Sequence, residues 1–272
     1  MKRQIQLFML VLVVALLQAC GGNESVGSDV NKVDTSTPDG TLMALVQSLK
    51  QNDIKALMQA SMSTKEYTKT VKEFDTVKMK SSEADKAKFV QIMSMLTSDD
   101  AEDQLMAMAT PQLEQMRAQL PMMLMMGKGM ASQTIQSSTD IPDAQKETAT
   151  KVANALMDFV SENDILSEEV TRKAISAAVT TAKNLNMNSL DDLQNMSYDD
   201  AMAKASIVMA GAKNVLSAYG ISFDDLLNSI KVSDVVENGN NASMKLAYEF
   251  LGQSFNQDVK MIKKDGKWIA DK

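Results

Sequence analysis

Apolar and polar residues alternate along this chain with two different periods, and the period changes once. From Pro38 to Ile230 the apolar positions recur every three or four residues, as on one face of a helix; from Lys231 onward they recur every second residue, as in a strand. Leu42, Leu45, Val46 and Leu49 predict a first helix opened by Thr37-Pro38-Asp39, a cap with proline at the first helical position. Asn52-Asp53 punctuates it, and Ile54, Leu57, Met58 and Met62 make a second short segment. Ser63 with Glu66 three residues on forms a capping box ahead of Tyr67, Val71 and Phe74. Phe74, Val77 and Met79 alternate weakly in a polar stretch read as helix end and loop.

The middle of the chain reads as helix after helix. Phe89, Ile92, Met93 and Leu96 give one stripe, and Leu105, Met106 and Met108 belong to a second, short segment. Thr110-Pro111 predicts a third helix carrying Leu113, Met116, Leu120, Met123 and Leu124, with a polar break from Ser132 to Asp140. Asp140 is then expected to cap a long helix with Val152, Leu156, Phe159 and Val160. Ser167-Glu168-Glu169 opens another with Val170, Ile175, Ala178, Val179 and Ala182. Ser197 with Asp200 and Ser222 with Asp225 repeat the capping logic before Met202, Ile207, Val208, Val215 and Leu216, and before Leu226, Leu227 and Ile230. No fixed repeat relates these segments, so a packed bundle is expected rather than a solenoid.

Beyond Lys231, Met244, Leu246 and Tyr248 alternate, as do Val259 and Met261, the pattern of a sheet with one buried face. Asn238-Gly239-Asn240-Asn241, Leu251-Gly252-Gln253 and Asp265-Gly266 separate the runs, the last being a strong hairpin signal. Trp268 then reads as a core anchor of the final strand. The fold class expected is α+β and predominantly helical: a helical bundle with a small C-terminal antiparallel sheet of three or four strands. Its parts are a small α+β unit from 37–80 plus 231–272 and a helical part from 81–230.

The N-terminus carries a different pattern. Lys2 and Arg3 precede the apolar run Leu7 to Leu17, and Leu17-Gln18-Ala19-Cys20 follows, so a charged head, apolar middle and small-residue cleavage site stand in the order of a secretory signal. The apolar run is about half the roughly 20 residues that a spanning helix needs. Residues 21–36 are rich in Gly, Ser, Asn and Asp and read as a flexible tether.

Leu17-Gln18-Ala19-Cys20 resembles the lipobox of bacterial lipoproteins. The resemblance implies cleavage of 1–19 between Ala19 and Cys20, a diacylglycerol on the Cys20 thiol, acylation of its new amino group and attachment to a bilayer. Gly21-Gly22 stand where a resemblance to enteric lipoproteins would associate an aspartate with inner-membrane retention, which implies the outer membrane, facing the periplasm. The opening TPDGTLMALVQSLKQNDIKALMQAS and the ending MIKKDGKWIADK also resemble small lipoproteins of the nuclear transport factor 2-like, or cystatin-like, cone fold. That resemblance covers 37 to about 62 and 231–272, and implies a cone with a large helical insertion. Such a fold confers no activity by itself.

Charge and composition narrow the functions. The chain has 28 basic and 35 acidic residues, and loss of Lys2 and Arg3 takes the net charge from −7 to −9, so nucleic acid is not an expected partner. A lipidated Cys20 leaves no thiol for a disulfide, because it is the chain's single cysteine. There is no histidine, no G-x-S-x-G, no S-x-x-K and no H-E-x-x-H, and Gly127-Lys128-Gly129 is too short for a phosphate loop. Neither a cofactor nor a resident metal is expected, and the protein reads as non-enzymatic.

Methionine changes this picture most. Of 23 methionines, eight lie between Met106 and Met130, with Met122, Met123, Met125 and Met126 in one cluster. Three readings are open. The first is a helix buried on most of its circumference, with Met116 and Met123 on the Leu113–Leu120 face. The second is an adaptable surface for a peptide, an apolar ligand or a partner helix in the envelope. The third is a thioether site handling Cu(I). The acidic pairs Asp99-Asp100, Glu168-Glu169, Asp191-Asp192, Asp199-Asp200 and Asp224-Asp225 suit first helical turns, where negative charge complements the macrodipole. A carboxylate-dependent hydrolase is the alternative for them, and would need one pair in a deep cleft that separates its pKa values.

Overall fold

The computed structural model describes residues 35–76 and 81–271, so Ala19, Cys20, the signal 1–19 and most of the tether lie outside the described residues, as do Val77 and Met79. Within these bounds the chain is a predominantly helical α+β protein that ends in a small antiparallel sheet. Its helices are α1 (Pro38–Lys50), α2 (Ile54–Ser61), α3 (Thr64–Thr76), α4 (Glu83–Thr97), α5 (Ala101–Ser137), α6 (Asp143–Glu162), α7 (Glu168–Leu185), α8 (Leu190–Gln194), α9 (Tyr198–Ala218) and α10 (Phe223–Ser229). The strands β1 (Lys231–Asn238), β2 (Asn241–Phe250), β3 (Gln253–Lys264) and β4 (Lys267–Ala270) form one meander in sequence order.

Side-chain caps start most of the helices, because the first backbone N–H groups of a helix have no partner within it. Thr37 Oγ1 accepts from the Gly40 N–H at 3.1 Å. Ser63 Oγ accepts from Glu66 N–H while Glu66 accepts from Ser63 N–H, at 3.3 and 3.1 Å, the reciprocal box its spacing predicts. Ser167, Ser197 and Ser222 cap α7, α9 and α10 by accepting from the N–H three residues on, that of Val170, Asp200 and Asp225. Ser189 and Asp192 form a further box that starts the short α8, an element the apolar pattern does not announce.

Several carboxylates in the first turns of helices have their pKa held below the ordinary range. The Ser189 backbone N–H, joined by that of Asn188, holds Asp192 down, while the ammonium groups of Lys173 and Lys146 hold Glu169 and Asp143 down. A carboxylate with a lowered folded pKa contributes stability that is complete above its unfolded value of about 4 and is lost as pH falls through the folded value. The thermal midpoint is therefore expected to fall as pH drops from neutrality to 3, and Asp192→Asn combined with Glu169→Gln should flatten that slope. A wild-type midpoint that does not move over this interval would count against the role given to these carboxylates.

The sheet buries one face against α1. Ala242, Met244, Leu246 and Tyr248 of β2, Phe255, Val259 and Met261 of β3, and Trp268 of β4 join Leu42, Val46 and Leu49 of α1 and Leu227 of α10 in one apolar core. Val152 of α6 and Met209 of α9 pack against it from the helical side. Asp265 and Gly266 both take left-handed φ angles, 53° and 79°, which suits the twist of a two-residue hairpin and is tolerated best by Asp-Gly or Asn-Gly. The edge strand β1 is exposed along nearly its whole length. It is interrupted by an irregularity between Ser233 and Val236, where Asp234 is left-handed at φ 54°. Such a bulge blunts an edge that would otherwise accept a further strand.

Three local expectations are corrected. Leu105 to Leu124 do not form two helices parted at Thr110-Pro111: α5 runs unbroken for 37 residues with Pro111 and Pro121 inside it. Thr110 does not cap; its hydroxyl donates back to the Met106 carbonyl at 2.8 Å, and packing along α6 and α7 offsets the backbone bonds that the prolines cannot make. The polar stretch after Ser132 remains helical to Ser137, because Ala131 and Ile135 continue the half-buried side of α5. Asp140 does not cap α6 either: that helix begins at Asp143 after Pro142, and the Asp140 N–H bonds to Ser138 Oγ at 3.2 Å.

Candidate functional site

The long helix α5 lies on the outside of the helical body with α6 beneath it. Leu113, Leu120, Leu124, Gly127, Ala131 and Ile135 are half-buried, as are Leu105 and Ala109 before them; spaced by three, four or seven residues, they form the inner seam. At Gly127 the Met157 side chain of α6 packs over the helix, where an added Cβ would meet it at an ordinary contact distance of 3.6 Å. Ion pairs flank the seam: Arg117 with Asp164 at 3.4 Å, Lys128 with Asp158, and Arg172 of α7 with Asp103 at 3.0 Å. These pairs are exposed, so they orient α5 more than they stabilise it.

The other side of α5 is apolar and open to solvent. Met122, Met123, Met125 and Met126 are 68%, 57%, 83% and 58% exposed, and Met108, Met116 and Met130 are exposed with them. The expectation of a helix buried over most of its circumference is therefore corrected, and so is the placement of Met116 and Met123 on the buried Leu113–Leu120 face. Of the eight methionines in this stretch only Met106 is buried among the core residues. Thioether and leucine periodicities coincide over these residues, so the pattern alone could not tell the two sides apart. The distribution of charge could have done so. Between Gln104 and Ser137 the charged residues are Glu114, Arg117 and Lys128, and at ~100° per residue all three fall on the flank away from Met116, Met123, Met126 and Met130. What remains is an uncharged ridge of methionine and glutamine exposing on the order of several hundred Å², the scale at which apolar surface marks an interaction site.

The acidic pairs are placed differently. Four of the five sit in the first turn of a helix, and Asp99-Asp100 stands just ahead of α5, so each meets a helix N-terminus. Asp199 also pairs with Lys55 at 2.8 Å and Asp191 with Lys86 at 3.0 Å. Asp224 accepts from the buried Lys213 ammonium at 2.6 Å, which in turn donates to the Lys50 carbonyl at the end of α1. These contacts tie helices together. Among the described residues, no group of three or more His, Cys, Asp or Glu side chains is arranged to hold a metal ion. An open cleft beside α5 is lined by Leu120, Pro121 and Leu124 against Val160 to Asp164, and it borders the ridge without containing its methionines.

Against known proteins, the chain matches no family model, no curated protein sequence and no solved structure. The ridge on α5 is thus assessed from its own geometry. Among the described residues no helix is long and apolar enough to cross a membrane, α5 included.

Proposed function

We propose that this protein is a non-enzymatic lipoprotein of the bacterial envelope, held to the outer membrane through acylated Cys20 and facing the periplasm, that works by binding a protein on the methionine ridge of α5. The anchoring half of the proposal rests on the lipobox-like Leu17-Gln18-Ala19-Cys20 and its upstream charges. The binding half rests on one observation: four methionines within five residues, Met122, Met123, Met125 and Met126, stand exposed on the solvent side of α5 in a protein that keeps its sheet core covered. Unbranched, polarisable methionine side chains adapt to more than one partner surface, and burying them would recover the free energy that exposure forgoes.

Crosslinking in intact cells, followed by purification from membranes, tests both halves. Mass spectrometry of the mature N-terminus is expected to show acyl chains on Cys20, and Cys20→Ala should remain uncleaved and unacylated. Changing Met122, Met123, Met125 and Met126 together to Ser should abolish the specific crosslink while leaving the melting curve within a few degrees of wild type, because surface substitutions change stability by only about ±0.5 kcal/mol each. A crosslinking pattern identical to wild type in that folded variant would remove the ridge from the proposal.

A further inference from the structure

The exposed side of α5 carries a second seam. Gln112, Met116, Gln119, Met123, Met126 and Met130 are spaced by four, three, four, three and four residues, the 3.5-residue repeat of a helix that packs along another helix. All six are exposed. The inner seam of the same helix, through Leu120, Leu124 and Gly127, already uses that kind of spacing against α6.

We propose that the occupant of this outer seam is the same seam of a second copy, lying antiparallel, so that the chain forms a two-fold dimer through α5. This inference rests on the reading of the ridge as a protein-binding surface and names its partner. A two-fold interface requires a patch that is complementary to itself. Centring the axis at the level of Pro121 meets that requirement along the seam: Met116 falls opposite Met126, Gln119 opposite Met123, and Gln112 opposite Met130. Each position that begins a four-residue step then faces one that begins a three-residue step, as antiparallel helix pairs require.

Other occupants fit less well. Partners chosen by charge need opposite charges beside the seam, and Glu114, Arg117 and Lys128 lie on the far flank, with Arg117 and Lys128 paired to α6 or the loop after it. A bilayer surface attracts helices through basic and aromatic residues beside the apolar face. Here α5 contains no Trp, Tyr or Phe, and its two basic residues, Arg117 and Lys128, are paired on the far flank. From Gln112 to Met130 the seam spans about 27 Å at 1.5 Å per residue, and the area it can bury lies toward the lower end of stable interfaces. The dimer is accordingly expected to be reversible.

The register makes the test specific. In full-length chain purified in detergent, on a Cys20→Ser background, Met116→Cys and Met126→Cys are prepared with tags of different mass and oxidised. The mixture is expected to yield a covalent dimer containing one of each, and neither variant alone should crosslink, because like positions are then about 15 Å apart along the axis, beyond disulfide reach. Sedimentation of the wild-type chain should show a monomer–dimer equilibrium that Met123→Glu with Met126→Glu shifts to monomer, the circular dichroism and melting curve remaining those of wild type. A strictly monomeric wild type, or crosslinking of Met116→Cys with itself, overturns the antiparallel dimer. If the wild type is monomeric and the Met→Ser variant still loses a crosslink to a different protein in cells, the dimer fails and the binding reading stands; if that crosslink also persists, both fail.

Discussion

Trp268→Ala is expected to cost about 3–5 kcal/mol of folding stability, the range for truncating a large aromatic side chain in a packed core. Trp268 is 0% exposed and is the most enclosed large side chain among the described residues. It lies on β4, opposite Lys263 of β3, whose ammonium stands 5.2 Å from the ring centroid. The indole Nε1–H donates to the Ser36 carbonyl at 3.1 Å, which fastens the last strand to the residues just before α1. Truncation would remove both the volume that joins the sheet to α1 and the donor that ties the two ends of the described chain. Trp268→Phe keeps most of the volume but loses that hydrogen bond and part of the ring, so it should cost about 1–3 kcal/mol. Urea denaturation followed by far-ultraviolet circular dichroism measures both, and a similar m-value in wild type and variants would show that the native state has lost stability without changing extent. A loss below about 1 kcal/mol for the alanine variant would mean that the sheet core does not depend on this residue.

Gly211→Ala should destabilise the protein by about 1–3 kcal/mol, although alanine is the better helix former by about 1 kcal/mol. Gly211 is buried on α9 where that helix crosses α7, and a Cβ at this position would lie 2.1 Å from Thr181 Oγ1 and 2.7 Å from Thr181 Cβ. Thr181 cannot turn aside easily. Its branched side chain is restricted at χ1, and its hydroxyl donates to the Ala177 carbonyl at 2.7 Å. The helices would therefore have to separate, loosening the crossing of α7 and α9. Thr181→Ala removes the obstructing atoms, so the double variant should be more stable than the sum of the single changes by at least about 1 kcal/mol. Gly129 is the internal control: it lies exposed on α5 with nothing within 4 Å of the added Cβ, and Gly129→Ala should stabilise by up to about 1 kcal/mol. A neutral or stabilising Gly211→Ala would show that the crossing relaxes without cost.

Much of the local architecture can be read from short stretches because its cause is local. A serine or threonine ahead of an apolar run supplies the acceptor that the first helical N–H groups lack, and Thr37, Ser63, Ser167, Ser197 and Ser222 do this where their spacing predicts. The alternation of Met244, Leu246 and Tyr248 maps directly onto one buried face, because the side-chain period of a strand is two. Asp265-Gly266 names its own hairpin. The misreadings share a different cause. Thr110-Pro111 looks like a helix start, yet a start is also a place where a helix can pass through if neighbours hold it, and α6 and α7 lie alongside α5. Proline lowers local helical stability without forbidding a helix that tertiary contacts support.

By itself, then, the amino-acid sequence determined most of the elements in their order, the caps at Thr37, Ser63, Ser167, Ser197 and Ser222, the passage from helical to strand period at Lys231 and the alternating residues of the sheet core, since each of these follows from interactions within a few residues or from strict alternation. Only the tertiary structure decided that Leu105 to Ser137 form a single helix and that its methionines face outward. Methionine serves equally well as core filler and as exposed contact, and its position along the chain does not state whether a neighbouring helix covers it. That choice depends on where α6 lies against α5, a relation set by the inner seam of Leu120, Leu124 and Gly127 and by the pairs of Arg117 and Lys128 with residues distant in the chain.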